Sequence, residues 1–212
     1  MSLPKPTAER LSRLAHLLER RGNAGDFVSS ADLERLTGWP SHTIRKDISS
    51  LPDGAGISTT AGYDPARLAG AIRQALGFGD EPHNCCIVGL GRLGSAFLEY
   101  SGFAGSPFTL LAGFDSNVNR IEILKADFPL YPTYKMKEVI PRLAIRYAIL
   151  CVPPEQAAQT ADKLAECGVT GIVNFTPVIF PAPHGVEVEQ VSVVDALGTL
   201  AARLACEKRR ES

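Results

Sequence analysis

An α/β fold in two parts, a small helical domain followed by a doubly wound parallel sheet, is predicted by three observations. Apolar residues recur at helical spacing in the N-terminal region. After residue 84 the pattern changes to short continuous apolar runs alternating with amphipathic stretches. Between the two regions lies GFGDEPHN, residues 77–84, where glycine, proline and polar residues collect. Strands that stay apolar without alternating are buried on both faces, which a sheet covered by helices on each side provides. The chain has 212 residues, enough for two small domains, and the boundary is expected between residues 1–79 and the rest.

In the first domain, residues 7–21 place Leu11, Leu14, Leu17 and Leu18 among charges at helical spacing, with Gly22 able to stop the helix in a left-handed conformation. FVSSADLERLTG reads as a shorter helix capped by Ser29 or Ser30 and ended at Gly38. Ser41 is placed to cap a third helix through HTIRKDISSL. GAGISTTAGY, residues 54–63, offers short β-prone pieces between glycines, and DPARLAGAIRQAL returns to helix with Leu68, Ile72 and Leu76 on one face. Helix, short helix, glycine turn, third helix and hairpin is the order of a winged helix-turn-helix, whose third helix enters the DNA major groove. On that helix Ser41, His42, Thr43, Arg45 and Lys46 are hydrogen-bonding or basic, as groove contacts require, while Ile44, Ile48 and Leu51 supply the core face. Short helices with a polar outer face also occur without DNA binding, in which case Arg45 and Lys46 are a solvated pair.

In the second domain, strands are expected over residues 85–89, 108–115, 145–152, 171–175 and 186–191. Helices are expected over 92–100, 134–143, 154–167 and from 193 to about 209. The first strand runs into Gly89-Leu90-Gly91-Arg92-Leu93-Gly94, a GxGxxG that opens a helix. Its first glycine permits the tight turn, the second lets backbone approach a pyrophosphate, and the third lets helix and strand pack closely. The next strand ends at Asp115, 21 residues beyond Gly94, where a carboxylate can bond both ribose hydroxyls of an adenosine. This is a dinucleotide-binding Rossmann pattern. Asp115 repels a 2′-phosphate, so NAD(H) is favoured over NADP(H), and Arg120 is read as too far along to reverse that. S-adenosylmethionine is a competing ligand, and an empty packing turn is the plainest alternative.

Composition narrows the function. With 45% hydrophobic and 21% charged residues and no apolar run near the roughly 18 to 20 residues of a membrane span, a cytoplasmic protein without membrane contact is expected. Net charge is −1, but the first 50 residues carry eight Lys or Arg against six Asp or Glu, while residues 81–212 carry 12 against 14. Any acidic partner is therefore favoured at the N-terminal end. The five cysteines, Cys85, Cys86, Cys151, Cys167 and Cys206, form no CxxC and read as free buried thiols, with neither a disulfide framework nor a metal site. His16, His42, His83 and His184 are scattered, and no catalytic grouping stands out. No enzymatic role is expected. The rival reading is a small NAD-dependent oxidoreductase with an N-terminal dimerisation domain.

A basic helix-turn-helix fused to an NAD-type domain resembles the Rex family of redox-sensing transcriptional repressors over nearly the whole chain. The residues that carry the resemblance are Arg10 and Leu11, TIRKD at 43–47, Gly62-Tyr63, IVGLGRLGSA at 87–96, Tyr100, Phe114-Asp115, VPPEQAAQTAD at 152–162 and GIVNFTPV at 171–178. The resemblance implies a homodimer whose C-terminal helix, 192–212, swaps between subunits, leaving 80–191 as the NAD(H)-binding domain. It also implies a pseudo-palindromic operator bound with NAD+ and released by NADH. Gly89, Leu90, Gly91, Arg92, Leu93, Gly94 and Asp115 would hold the cofactor, with Tyr100, Val152, Pro153 and Asn174 near its nicotinamide end, and Arg10 would join the DNA-binding set. Three departures stand out. The wing, residues 54–62, has no Lys or Arg, and the positions of the family's first-helix arginine and pre-swap aspartate are His16 and Ser192. A neutral wing predicts weaker, less salt-dependent DNA binding, and keeps open a member that binds nucleotide and a protein partner without DNA.

Overall fold

Pro4 and Pro6, which suit a first helical turn because their missing N–H has no partner there, open α1 (Lys5–Arg20). The computed structural model describes residues 3–21, 26–52, 58–59, 62–79 and 83–208, and the chain divides into two compact units, Met1–Glu81 and Pro82–Ser212. Gly22 and most of the wing, residues 54–57 and 60–61, lie outside the described residues.

In the first unit Leu11, Leu14 and Leu18 are buried, whereas Leu17, counted with them in the sequence, is 40% exposed. α2 (Ser30–Thr37) is closed at its start by a reciprocal capping box in which Ser29 Oγ accepts from the Asp32 amide and Asp32 Oδ2 accepts from the Ser29 amide. It ends at Gly38, whose φ of +72° is the left-handed C-cap of the tight turn. α3 (Ser41–Ser49) follows, but Pro40, not Ser41, is its N-cap. Ser41 is already helical, and its amide donates to Glu34 Oε2. The hairpin is β1 (Ser58–Thr59) with β2 (Gly62–Tyr63), and Val28 adds an antiparallel bridge to Tyr63 through two amide bonds of 2.8 and 2.9 Å. Gly62, at φ +116°, is required there because a Cβ would lie 2.6 Å from the Val28 carbonyl oxygen. Asp64 then caps α4 (Pro65–Ala75), which buries Leu68 and Ile72 and packs Leu76 at the edge of one core with Leu33, Ile44, Ile48, Leu51 and the leucines of α1.

The second unit is a six-stranded parallel sheet. In chain order its elements are β3 (His83–Val88), α5 (Arg92–Ala96), β4 (Phe108–Asp115), α6 (Val118–Ile123), β5 (Leu130–Pro132), α7 (Met136–Arg142), β6 (Tyr147–Leu150), α8 (Ala157–Glu166), β7 (Gly171–Asn174), β8 (Glu187–Gln190) and α9 (Val193–Lys208). The strand order β5-β4-β3-β6-β7-β8 is the doubly wound Rossmann arrangement, with its topological switch between β3 and β6. Burial explains the unalternating strands. Cys86 and Val88 enter one core with Phe114, Ile140, Leu150 and Leu164, while the intervening Ile87 enters a second with Leu90, Leu98 and Ile149.

One expectation is corrected and two elements are added. The helix over residues 92–100 ends at Ala96 and continues as single 3-10 turns at Phe97–Glu99 and Ser101–Phe103, with Tyr100 extended between them. The Tyr100 ring folds over Gly102, where a Cβ would fall 2.3 Å from it. α6 and β5 were not foreseen: α6 buries no residue and β5 has three residues ending in proline, so neither leaves a periodic signal.

Candidate nucleotide site and candidate nucleic-acid interface

The three glycines of the loop after β3 stand in three different settings. Gly89 sits at φ +91°, and a Cβ on it would lie 2.6 Å from the Cys151 carbonyl oxygen. Gly94 presses against the loop itself, since a Cβ there would come within 1.8 Å of the Gly89 carbonyl oxygen. Gly91 has an ordinary φ of −67° and no atom within 4 Å of where its Cβ would stand. Nothing in the fold itself calls for glycine at that position. Gly89 and Gly91 line a cavity of about 530 Å³ at the switch point, together with Asp115, Val152 and Pro153.

Asp115, which lines this cavity, is buried. Its Oδ2 accepts from the Leu90 amide at 2.7 Å and from Arg120 Nη1 at 3.0 Å, and its Oδ1 accepts from the Asn117 amide at 2.7 Å. Arg120 is thus not too far along the chain to matter: one helical turn of α6 brings its guanidinium back to the carboxylate. The other loop residues serve packing or face outward. Leu90 is buried in the second core, and Arg92 and Leu93 are exposed.

Besides Leu90, Arg92, Leu93 and Gly94 of the loop, two expected members outside it, Tyr100 and Asn174, are not among the residues that line the cavity. Tyr100, turned aside where the helix breaks, lines a separate space of about 400 Å³ with Phe97, Phe103 and Phe128, and meets Phe97 and Phe103 edge to face. Asn174, 1% exposed, is engaged internally: Nδ2 donates to the Val178 carbonyl and to Gln190 Oε1, and Oδ1 accepts from the Thr176 amide. It ties the ends of β7 and β8 to the 175–178 turn. In their place the cavity has Gln156, Gln159, Thr160 and Lys163, all outside the expected set. Their i, i+3, i+4, i+7 spacing is a polar stripe legible in PEQAAQTADK, beside the buried Ala157, Ala161 and Leu164.

Cys151 also lines the cavity, but burial pushes its thiol up to about 12, and that of Cys85 likewise, so both stay protonated and poorly nucleophilic at neutral pH. Cys206 is exposed, unlike the buried thiols expected. Among the described residues no group of three or more His, Cys, Asp or Glu is arranged to hold a metal, and no helix is long and apolar enough to cross a membrane.

On α3, His42, Arg45 and Lys46 are exposed along one face, Ser41 and Thr43 are partly exposed beside it, and Ile44 and Ile48 anchor the opposite face. Arg10 does not belong to that face. Its Nε and Nη2 donate to the buried Asp47 at 2.6 and 2.8 Å, Thr7 adds a third bond at 3.2 Å, and the pair raises the Arg10 pKa further. Arg10, expected among the DNA contacts, forms a clamp between α1 and α3.

A family model described as the N-terminus of putative DNA-binding proteins matches residues 2–49, and one described as a CoA binding domain matches residues 80–178. The redox-sensing transcriptional repressor Rex of Exiguobacterium sibiricum is 34% identical over 199 residues, which cover 93% of this chain and 90% of that protein. The chain belongs to the Rex family. The solved structure of RSP in complex with β-NADH is similar at a TM-score of 0.83 and 29% identity, covering 100% of this chain and 98% of that one. That of RSP with β-NAD+ and operator DNA is similar at 0.79 and 31%, covering 100% and 96%.

Two of the departures from the Rex pattern can be placed. His16 is exposed on α1, and Ser192 Oγ accepts from the Asp195 amide, making it the cap of α9. Beyond that cap, Val193, Leu197, Leu200 and Leu204 form an exposed apolar stripe.

Proposed function

We propose that this Rex-family chain is a redox-responsive transcriptional repressor in the cytoplasm. It binds a pseudo-palindromic operator as a homodimer and leaves it when NADH occupies the cavity at the switch point. The observation that carries the reading is the pairing, in one chain, of an exposed basic recognition face on α3 with a cavity lined by an open Gly91 and a carboxylate. The donor set suits a dinucleotide: the loop after β3 offers close approach at Gly91, Asp115 the ribose end, and Val152 and Pro153 the side toward the nicotinamide. RSP, which this chain resembles along its full length, has been solved both with NADH and with NAD+ on operator DNA.

His42, Arg45 and Lys46 would meet bases and phosphates, with Ser41 and Thr43 beside them, and the Arg10–Asp47 clamp sets the angle of the helix. The C-terminal helix, with its apolar stripe, would exchange between subunits. The chain acts as a regulator and not as a catalyst. Oxidised nicotinamide is cationic and reduced nicotinamide is neutral, so the two can favour different dimer arrangements, and operator affinity shifts by that difference alone. The test is operator binding of the full-length chain at one salt concentration with saturating NADH or NAD+. Weaker binding with NADH supports the proposal. Equal binding removes the sensor, and NADH turnover with a carbonyl substrate favours an oxidoreductase.

A further inference from the structure

The α8 wall of the nucleotide cavity carries polar groups that the fold leaves unengaged. Gln156, Gln159, Thr160 and Lys163 line that wall. Gln156 and Gln159 are both exposed, and neither carboxamide makes a hydrogen bond to another described residue; Gln156 precedes the first turn of α8 without capping it. The Asn174 carboxamide, by contrast, is buried and bonded to Val178, Gln190 and Thr176. A helix face turned only to water also carries glutamines, but these two share one cavity with Gly91 and Asp115.

We propose that Gln156 and Gln159 are specificity-determining residues that read the adenine base of the dinucleotide across its N6 and N7 positions. The proposal rests on the reading of the cavity as a dinucleotide site. With the adenosine ribose at Asp115, the base attached to it lies in the same cavity as the two glutamines. A carboxamide pairs with adenine through two bonds, its oxygen accepting from the N6 amino group and its nitrogen donating to N7. Met136, which also lines the cavity, offers apolar surface to a ring face. In hypoxanthine a carbonyl oxygen replaces the 6-amino group. Position 6 and N7 are then both acceptors, and neither orientation of a carboxamide lets its oxygen and its nitrogen both pair. A site built around the amino group therefore discriminates against the base that lacks it.

The experiment is a pair of equilibrium titrations on the full-length chain at one ionic strength, with NADH and with reduced nicotinamide hypoxanthine dinucleotide, followed by the nicotinamide fluorescence that both share. The pair is then repeated with the double variant Gln156→Met and Gln159→Met, which keeps side-chain length and removes the carboxamides at two exposed positions. The expected results are a wild-type Kd at least about fivefold lower for NADH than for the hypoxanthine analogue, and a preference in the double variant that falls to half of that or less. A wild-type preference below about fivefold, a double variant that retains more than half of it, or a double variant that binds neither probe overturns the proposal, while wild-type NADH binding keeps the dinucleotide reading. A wild-type chain that binds neither dinucleotide overturns both.

Discussion

At the scale of single residues, the glycine loop separates fold from function. Gly91→Ala places a methyl group in open cavity, so its melting temperature should stay within a few degrees of wild type while NADH affinity falls at least tenfold. Gly94→Ala drives a Cβ into backbone and should cost more than the roughly 1 to 3 kcal/mol of ordinary overpacking. Thermal melts with a paired NADH titration check both; equal destabilisation of the two variants would remove the special role of Gly91. At the N-terminal unit, Arg10→Ala leaves the buried Asp47 with Thr7 as its one side-chain donor among the described residues and should cost about 1 to 3 kcal/mol in urea unfolding. The double variant with Asp47→Ala should be less destabilised than the sum of the singles. The thiols give a third test. Alkylation of the native chain near pH 8 should modify Cys206 and spare Cys85, Cys86, Cys151 and Cys167 until unfolding, counted by mass spectrometry. The sign of the pH dependence follows. Unfolded thiols ionise near ~8.5 whereas Cys85 and Cys151 wait until about 12, so their contribution to stability is complete below pH ~8.5 and is lost as pH rises toward 12.

At the scale of elements, what the sequence made legible follows burial. α1, α4, β3 and β4 were readable because each buries a periodic or continuous apolar set, and Gly38 and the Ser29-Ser30 pair marked the ends of α2 through local chemistry that needs no tertiary information. β5 and α6 were not, being too short to repeat a pattern. The site was half legible. Gly89, Gly91 and Asp115 stand in a spacing with a mechanical meaning, whereas Arg120 enters through one turn of an unforeseen helix and Tyr100 leaves through a helix that breaks early. The stripe on α8 was present in the sequence as an unread periodicity. α9 carries an element-level prediction: with Val193, Leu197, Leu200 and Leu204 exposed on one face, the wild-type chain should sediment as a dimer. Leu197→Asp with Leu200→Asp should shift it to monomer, and a variant that remains fully dimeric would place the dimer contact elsewhere.

At the scale of the whole molecule, a repressor needs its two ligands to be energetically coupled, and coupling is reciprocal. If NADH lowers operator affinity, operator must lower NADH affinity by the same factor, whatever the path between the two sites. The most direct measurement is therefore the NADH dissociation constant of the full-length chain by calorimetry, alone and with saturating operator duplex, at one salt concentration. NADH binding should be weakened roughly 5- to 150-fold by the operator, an ordinary coupling of about 1 to 3 kcal/mol. Identical NADH affinities with and without operator, on a chain that binds both, would contradict it.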